Sequence, residues 1–151
     1  MICYFCIVKE IKKRSDCPIS SALDIIGDKW SLLIVRDIMM NGKNTYNEFL
    51  KSEEKIATNV LADRLAMLEA AGILAKEAHP ESKAKIFYSL THKGIDLLPV
   101  LIGLILWADA HLPTTPAAKM YAQKIKSDKE AIIEQLSTKL KRFNQSKDGH
   151  L

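Results

Sequence analysis

Cysteine is scarce in this chain, and its three examples, Cys3, Cys6 and Cys17, all fall before residue 18. An odd number clustered at one end excludes a disulfide framework and fits a reducing, cytoplasmic setting. Cys3 and Cys6 have half the spacing of a zinc site, but no second pair follows, and the histidines at His79, His92, His111 and His150 are scattered. Neither a metal nor a cofactor is expected. A glycine-rich phosphate loop, a Ser/His/Asp order with supporting context and a pair of catalytic carboxylates are all missing, which argues against an enzyme. Long apolar runs are missing too. The opening MICYFCIV is too short for a signal segment, and its basic residues follow it rather than precede it. Residues 97–108 are interrupted by Pro99 and bracketed by Asp96 and Asp109, short of the roughly 18–20 apolar residues a membrane span requires. No membrane partner is expected.

The 151 residues, 48% hydrophobic and 26% charged, suit one domain with an appended element. A net charge of +4 permits a polyanionic partner without requiring one.

Residues 54–72, EKIATNVLADRLAMLEAAG, carry the strongest pattern. Ile56, Val60, Leu61, Leu65 and Leu68 recur at helical spacing and should face inward, leaving Thr58, Asn59, Asp63 and Arg64 as a short polar face in the first two turns. Such a face can enter a DNA groove, although an amphipathic surface helix has the same pattern. Ahead of it, Thr45-Tyr-Asn-Glu48 is a capping box that should start a short helix with Tyr46, Phe49 and Leu50 inward. Two short helices joined by a polar turn make a helix-turn-helix candidate. After Gly72, ILAKEAH and KIFYSL read as two strands joined by a turn over residues 80–84. A helix-turn-helix followed by such a ribbon is a winged helix. Its charged tip would bring Lys83 and Lys85 to phosphates or a minor groove, unless those lysines are ordinary solvated turn charge.

The fold class is therefore mainly α with a small β-hairpin, a winged helix-turn-helix with N- and C-terminal dimerisation elements. An N-terminal arm covers residues 1–14. Ser15 or Asp16 should cap a helix beginning near Pro18 with Ile19, Leu23 and Ile26 on one side. Asp28 should cap a second helix that buries Trp30, Leu33, Ile34 and Ile38, with Trp30 a core anchor rather than a ligand platform. Thr91 caps a third scaffold helix that Pro99 should kink or split. From Ile95 to Trp107 almost every side is apolar, more than one protomer can cover, so Leu101, Ile105 and Trp107 are candidate dimer contacts for a second copy. Residues 113–143 form a helical extension in which Ser127 heads a second capping box, and residues 144–151 are expected to be a disordered tail.

Residues 16–112 resemble the HxlR-type winged-helix regulators of the MarR-like superfamily. The resemblance rests on Cys17-Pro18 with LDIIGDKW, on TYNEFL, on Leu61-Ala-Asp-Arg64-Leu65 with Leu68-Glu-Ala-Ala-Gly72, on Tyr88-Ser-Leu-Thr-His-Lys-Gly94, and on LLPVL near Trp107. It departs from that pattern at Asp28, where members often have glycine, and at Ala57, where they often have serine. The resemblance implies a non-enzymatic, homodimeric DNA-binding repressor or activator of bacterial type on a pseudo-palindromic operator. In that setting Asn59 is suited to read adenine, Arg64 to read guanine or hold a phosphate, and Thr58 to touch the backbone or a thymine methyl. Arg64 has a competing structural role as partner of Glu48 or Glu69. Some regulators of this type sense oxidants or electrophiles through a cysteine at the Cys17 position, which makes Cys17 a candidate redox sensor; the other reading is a small packed residue before proline. A winged helix also serves elsewhere as a protein-interaction or dimerisation module without DNA readout, the alternative from another class.

Overall fold

Side-chain caps and prolines set most of the element boundaries in a computed structural model of the protein, which describes residues 11–79 and 81–148. The first element, α1 (Pro18–Ile26), takes Cys17 as its N-cap with no side-chain hydrogen bond and Pro18 in its first turn. The expected caps are engaged elsewhere: Asp16 accepts from Lys13 Nζ at 2.6 Å, and the Ser15 hydroxyl accepts from the Cys17 amide at 3.3 Å. No residue of α1 is buried, and of the side read as Ile19, Leu23 and Ile26 the first two face solvent, 71% and 52% exposed. Only Ile26 of that stripe packs on the core.

Asp28 does cap the next helix, α2 (Ser31–Asn41), accepting from the amides of Trp30 at 2.8 Å and Ser31 at 3.0 Å. The buried face is Ile34, Val35 and Met39, with Trp30, Leu33 and Ile38 only half-buried. The face is rotated because Asp37, 2% exposed, also points inward. Its carboxylate accepts from Arg36 at 2.7 Å, Asn41 at 2.8 Å, Lys43 at 3.1 Å and the Ser52 hydroxyl. Gly42 then turns the chain at φ 65, in the left-handed region where a side chain is strained.

The capping box forms at α3 (Tyr46–Leu50): the Glu48 amide donates to the Thr45 hydroxyl at 3.4 Å, and the Thr45 amide donates to the Glu48 carboxylate at 2.9 Å. Phe49 is 1% exposed and anchors the short helix. The opposing helix α4 (Thr58–Ala70) follows, and then β1 (Leu74–His79) and β2 (Ser82–Leu90) pair antiparallel from Leu74 opposite Leu90 to Ala78 opposite Ile86. The loop before α3 joins this ribbon: Thr45 bridges Phe87, and the Tyr88 amide donates to the Asn44 carbonyl at 2.7 Å.

Proline splits the next helical stretch into α5 (His92–Ile95) and α6 (Leu98–His111), with Pro99 in the first turn of α6. Gly94 of α5 lies so close to Ile73 that a Cβ there would sit 2.3 Å from the Ile73 carbonyl oxygen. Residues 92–111 together have the length and apolar character of a membrane-crossing helix, which residues 97–108 alone did not suggest. They are nonetheless broken before Leu98, and Leu98, Leu101 and Ile102 are buried in the core. Leu101, 6% exposed, is thereby corrected from a dimer contact to a core residue of its own protomer.

Two further helices, α7 (Pro116–Ser127) and α8 (Lys129–Asp148), pack back on the domain, with Ala122 and Ile125 fully buried. The cap of α8 is Asp128, which accepts from the Ala131 amide at 3.1 Å; Ser127, expected in that role, donates to the Lys124 carbonyl instead. The expected disorder from residue 144 is also corrected, since α8 continues to Asp148. Asn144 docks there, donating to the Leu90 carbonyl at 2.7 Å where β2 ends. Most of the N-terminal arm and residues 149–151 of the tail lie outside the described residues.

Burial pushes the Asp37 carboxyl up, but the hydrogen bonds from Ser52, Arg36, Asn41 and Lys43 outweigh it and hold the group below the usual carboxylate range. That stability is complete above the unfolded value of about 4 and is lost as pH falls through the depressed folded value. Replacing Asp37 by alanine is expected to cost about 3 kcal/mol by leaving Arg36 and Lys43 without their partner. Urea unfolding at pH 7 checks this, and the difference from wild type should shrink at pH 3.

Candidate nucleic-acid interface

Helix α4 owes its orientation to Leu61, Leu65 and Leu68, which are 0%, 2% and 0% exposed. Burying three leucines on one stripe stabilises that pose by several kcal/mol, on the order of 2 per side chain. The opposite face then has to point outward, and Thr58, Asn59, Ala62, Asp63 and Ala66 are all exposed on it. Tyr46 of α3 donates its hydroxyl to the Thr58 carbonyl at 2.8 Å, fixing the first turn of α4 to the helix before it. Ala57 occupies the N-cap and has no side-chain acceptor, so the first-turn amides face outward without a side-chain cap. An anion is the group such amides attract.

Arg64 is not a free member of this face. It donates to Asp28 at 3.3 Å and to its neighbour Asp63, and its side chain is only 19% exposed. The structural partners expected for it were Glu48 and Glu69; Glu48 is committed to the capping box and Glu69 to Lys76 at 3.2 Å. Burial raises the Asp28 carboxyl, while the Ser31 hydroxyl, the amides of Trp30 and Ser31 and finally Arg64 lower it, with a net shift below the usual value. One aspartate therefore caps α2 and ties α4 to that cap. Asp63 is exposed, and Arg64 balances its charge.

The turn between the helices was read only as a polar connection. Lys55 takes φ 53 in it, the one positive value among the described non-glycine residues, and presents an exposed ammonium just ahead of α4. Nothing in the sequence marked that position, because asparagine or glycine is the usual residue for such a turn.

The ribbon is longer than expected and its turn tighter. Ser82, Lys83 and Ala84, read as turn, belong to β2, and the register jumps from Ala78 opposite Ile86 to His79 opposite Ser82. Residues 83–85 are thus an irregular, unpaired segment of the strand rather than its tip. Lys85 is exposed there, while the side chain of Lys83 lies outside the described residues.

Cys17 is exposed and unpaired with another cysteine among the described residues. Two of the basic residues before it are paired: Lys13 binds Asp16 and Arg14 binds Asp24. Of the candidate dimer contacts, Ile105 is half-buried and Trp107 is 57% exposed with its ring 5.3 Å from that of His111. Val100 and Leu104, 43% and 49% exposed, lie on the same stripe of α6.

A sequence model described as HxlR-like helix-turn-helix matches residues 25–116. YdeP of Bacillus subtilis, described as an HTH-type transcriptional regulator, is 35% identical over 95 residues, covering 63% of this chain and 73% of YdeP. The solved structure of PA1607 superposes with a TM-score of 0.61 at 38% identity, over 69% of this chain and 71% of that one. The redox regulator HypR in its oxidised form superposes with a TM-score of 0.57 at 32% identity, over 65% of this chain and 100% of HypR.

The half-buried pair of Arg64 and Asp28 yields a stability test. Arg64→Ala is expected to lower the unfolding free energy by about 1 kcal/mol, measured by urea denaturation. An unchanged value would mean that the pair is screened and that Arg64 is available for other contacts.

Proposed function

The chain belongs to the HxlR-like helix-turn-helix family of transcriptional regulators, and from that premise we propose that it binds a pseudo-palindromic DNA operator as a homodimer in the cytoplasm, with α4 in the major groove. The observation that carries this reading is the pairing of a fully buried leucine stripe on α4 with an outward face bearing Thr58 and Asn59. Asn59 reads a base edge, most suitably adenine; Thr58 and the uncapped first-turn amides take phosphate. Asp63 keeps Arg64 in place, and Arg64 serves as a positioning residue rather than a base contact. Lys55 and Lys85 meet the backbone on either side, together with Lys83 of the wing.

A second copy covers the apolar stripe of Val100, Leu104 and Trp107 on α6, and Ile19 and Leu23 of α1 are a further apolar pair at the surface. Burying such side chains is the main driving force of association. Two-fold symmetry then sets the half-sites about one helical turn, roughly 34 Å, apart.

Gel-shift titration against operator fragments selected from a random pool tests the reading. Asn59→Ala should flatten the preference at one base position per half-site. Lys85→Ala should weaken all sequences alike and reduce the salt slope by about 0.9. Trp107→Glu with Leu104→Glu should give monomers in sedimentation and abolish the shift. Salt-sensitive binding that is absent even at low ionic strength would instead favour a protein-interaction module.

A redox or electrophile signal is the effector class we assign to Cys17, on the strength of its exposure at the N-cap of α1 and the redox role in the name of HypR. Diamide should change operator affinity in the wild type and not in Cys17→Ser; equal responses remove Cys17 from the mechanism.

A further inference from the structure

A cleft of about 560 Å³ opens where α8 folds back over the end of α2 and the base of β2. Its size falls in the range of small-molecule sites, roughly 300–1,000 Å³. The walls are apolar: Ile38 and Met40 from α2, Tyr88 from β2, and Leu136, Leu140 and Phe143 from α8. The methionines Met39 and Met40 on one side make a wall that adapts to irregular shapes.

The polar part of the lining is one-sided. Lys139 and Arg142 stand one turn apart on α8 at the mouth of the cleft, both exposed, and neither has an ion pair or hydrogen bond among the described residues. The third cation, Lys43, is held by Asp37 and Ser52. No carboxylate lines the cleft. Apolar walls beside two cations, with Glu134 lining only the adjoining groove that both cations also border, match one ligand chemistry, an apolar body ending in a single negative charge.

We propose that this cleft binds an apolar organic monoanion, a carboxylate or sulfonate on an aromatic or aliphatic body, with Lys139 and Arg142 holding the charge and the body lying between Met40, Tyr88 and Leu140. The occupant touches the joint between wing and helix-turn-helix. Tyr88 donates through its amide to Asn44, which leads into α3, and Asn144 of α8 is bonded to Leu90 at the end of β2. Ligand binding therefore changes the setting of the wing relative to α3. This coupling rests on the DNA-binding reading given above; the site itself does not.

Fluorescence titration of the full chain separates the two. The probes are 8-anilinonaphthalene-1-sulfonate and its uncharged relative N-phenyl-1-naphthylamine, with sodium decanoate as displacing anion. The sulfonate should bind saturably, one per chain, and decanoate should displace it. Lys139→Glu with Arg142→Glu, surface changes that leave the fold intact by circular dichroism, should weaken the sulfonate about tenfold or more and leave the neutral probe unchanged. Leu140→Trp should exclude both probes. Equal sulfonate binding in wild type and charge-reversed chains, or no saturable binding, overturns the site. If decanoate binds but leaves operator affinity unchanged, the coupling is overturned. If no operator is bound at all, the functional reading fails while the titration still decides the cleft.

Discussion

A carboxylate almost wholly removed from water is tolerable only if donors surround it, and Asp37 imposes that requirement on the centre of this fold. The donors come from the end of α2, the loop after it and the turn after α3. Meeting them all fixes how far the chain travels between α2 and α4. Arg36 extends the same lattice to Glu54 at 2.5 Å, only a few residues before α4 begins. The position of the outward face of α4 is therefore set partly by polar satisfaction and partly by the leucines beneath it. Neither would suffice alone: the leucines choose the rotation of the helix, and the polar lattice chooses where it starts.

The elements that could be read from the sequence were those with a local cause. The capping box at Thr45 and Glu48 and the proline break at the start of α6 each act within four or five residues. The inner stripe of α4 was legible for the same reason, since its period is local. Tertiary partners were not. Arg64 was matched to acids close in sequence, whereas its partner Asp28 lies 36 residues away and had already been assigned to a cap. The tail reads as disordered because it is a terminus with no local tie, and nothing local shows that Asn144 reaches the carbonyl of Leu90.

The apolar helix α6 illustrates a second limit. Hydrophobic on nearly every side, it carries no periodic signal to tell inner from outer residues. Leu101 and Trp107 therefore looked alike, yet one is in the core and the other at the surface. The same uniformity leaves one side of the helix in the protomer core and the other, with Val100, Leu104 and Trp107, exposed. Similarly, α1 is amphipathic, but Ile19 and Leu23 of its apolar stripe face solvent while only Ile26 reaches the core. Amphipathicity locates a buried face without saying which body buries it.

The three residues of β2 that have no counterparts on β1 introduce slack into the ribbon. A strand that already carries an unmatched segment can gain or lose residues there while the paired part, from Leu74 to Ala78, keeps its register. The reach of the outer arm is thus decoupled from the aim of the inner helix. Insertions near residues 82–85 would lengthen the ribbon and leave the buried leucines undisturbed, so this stretch can change length at little cost to folding.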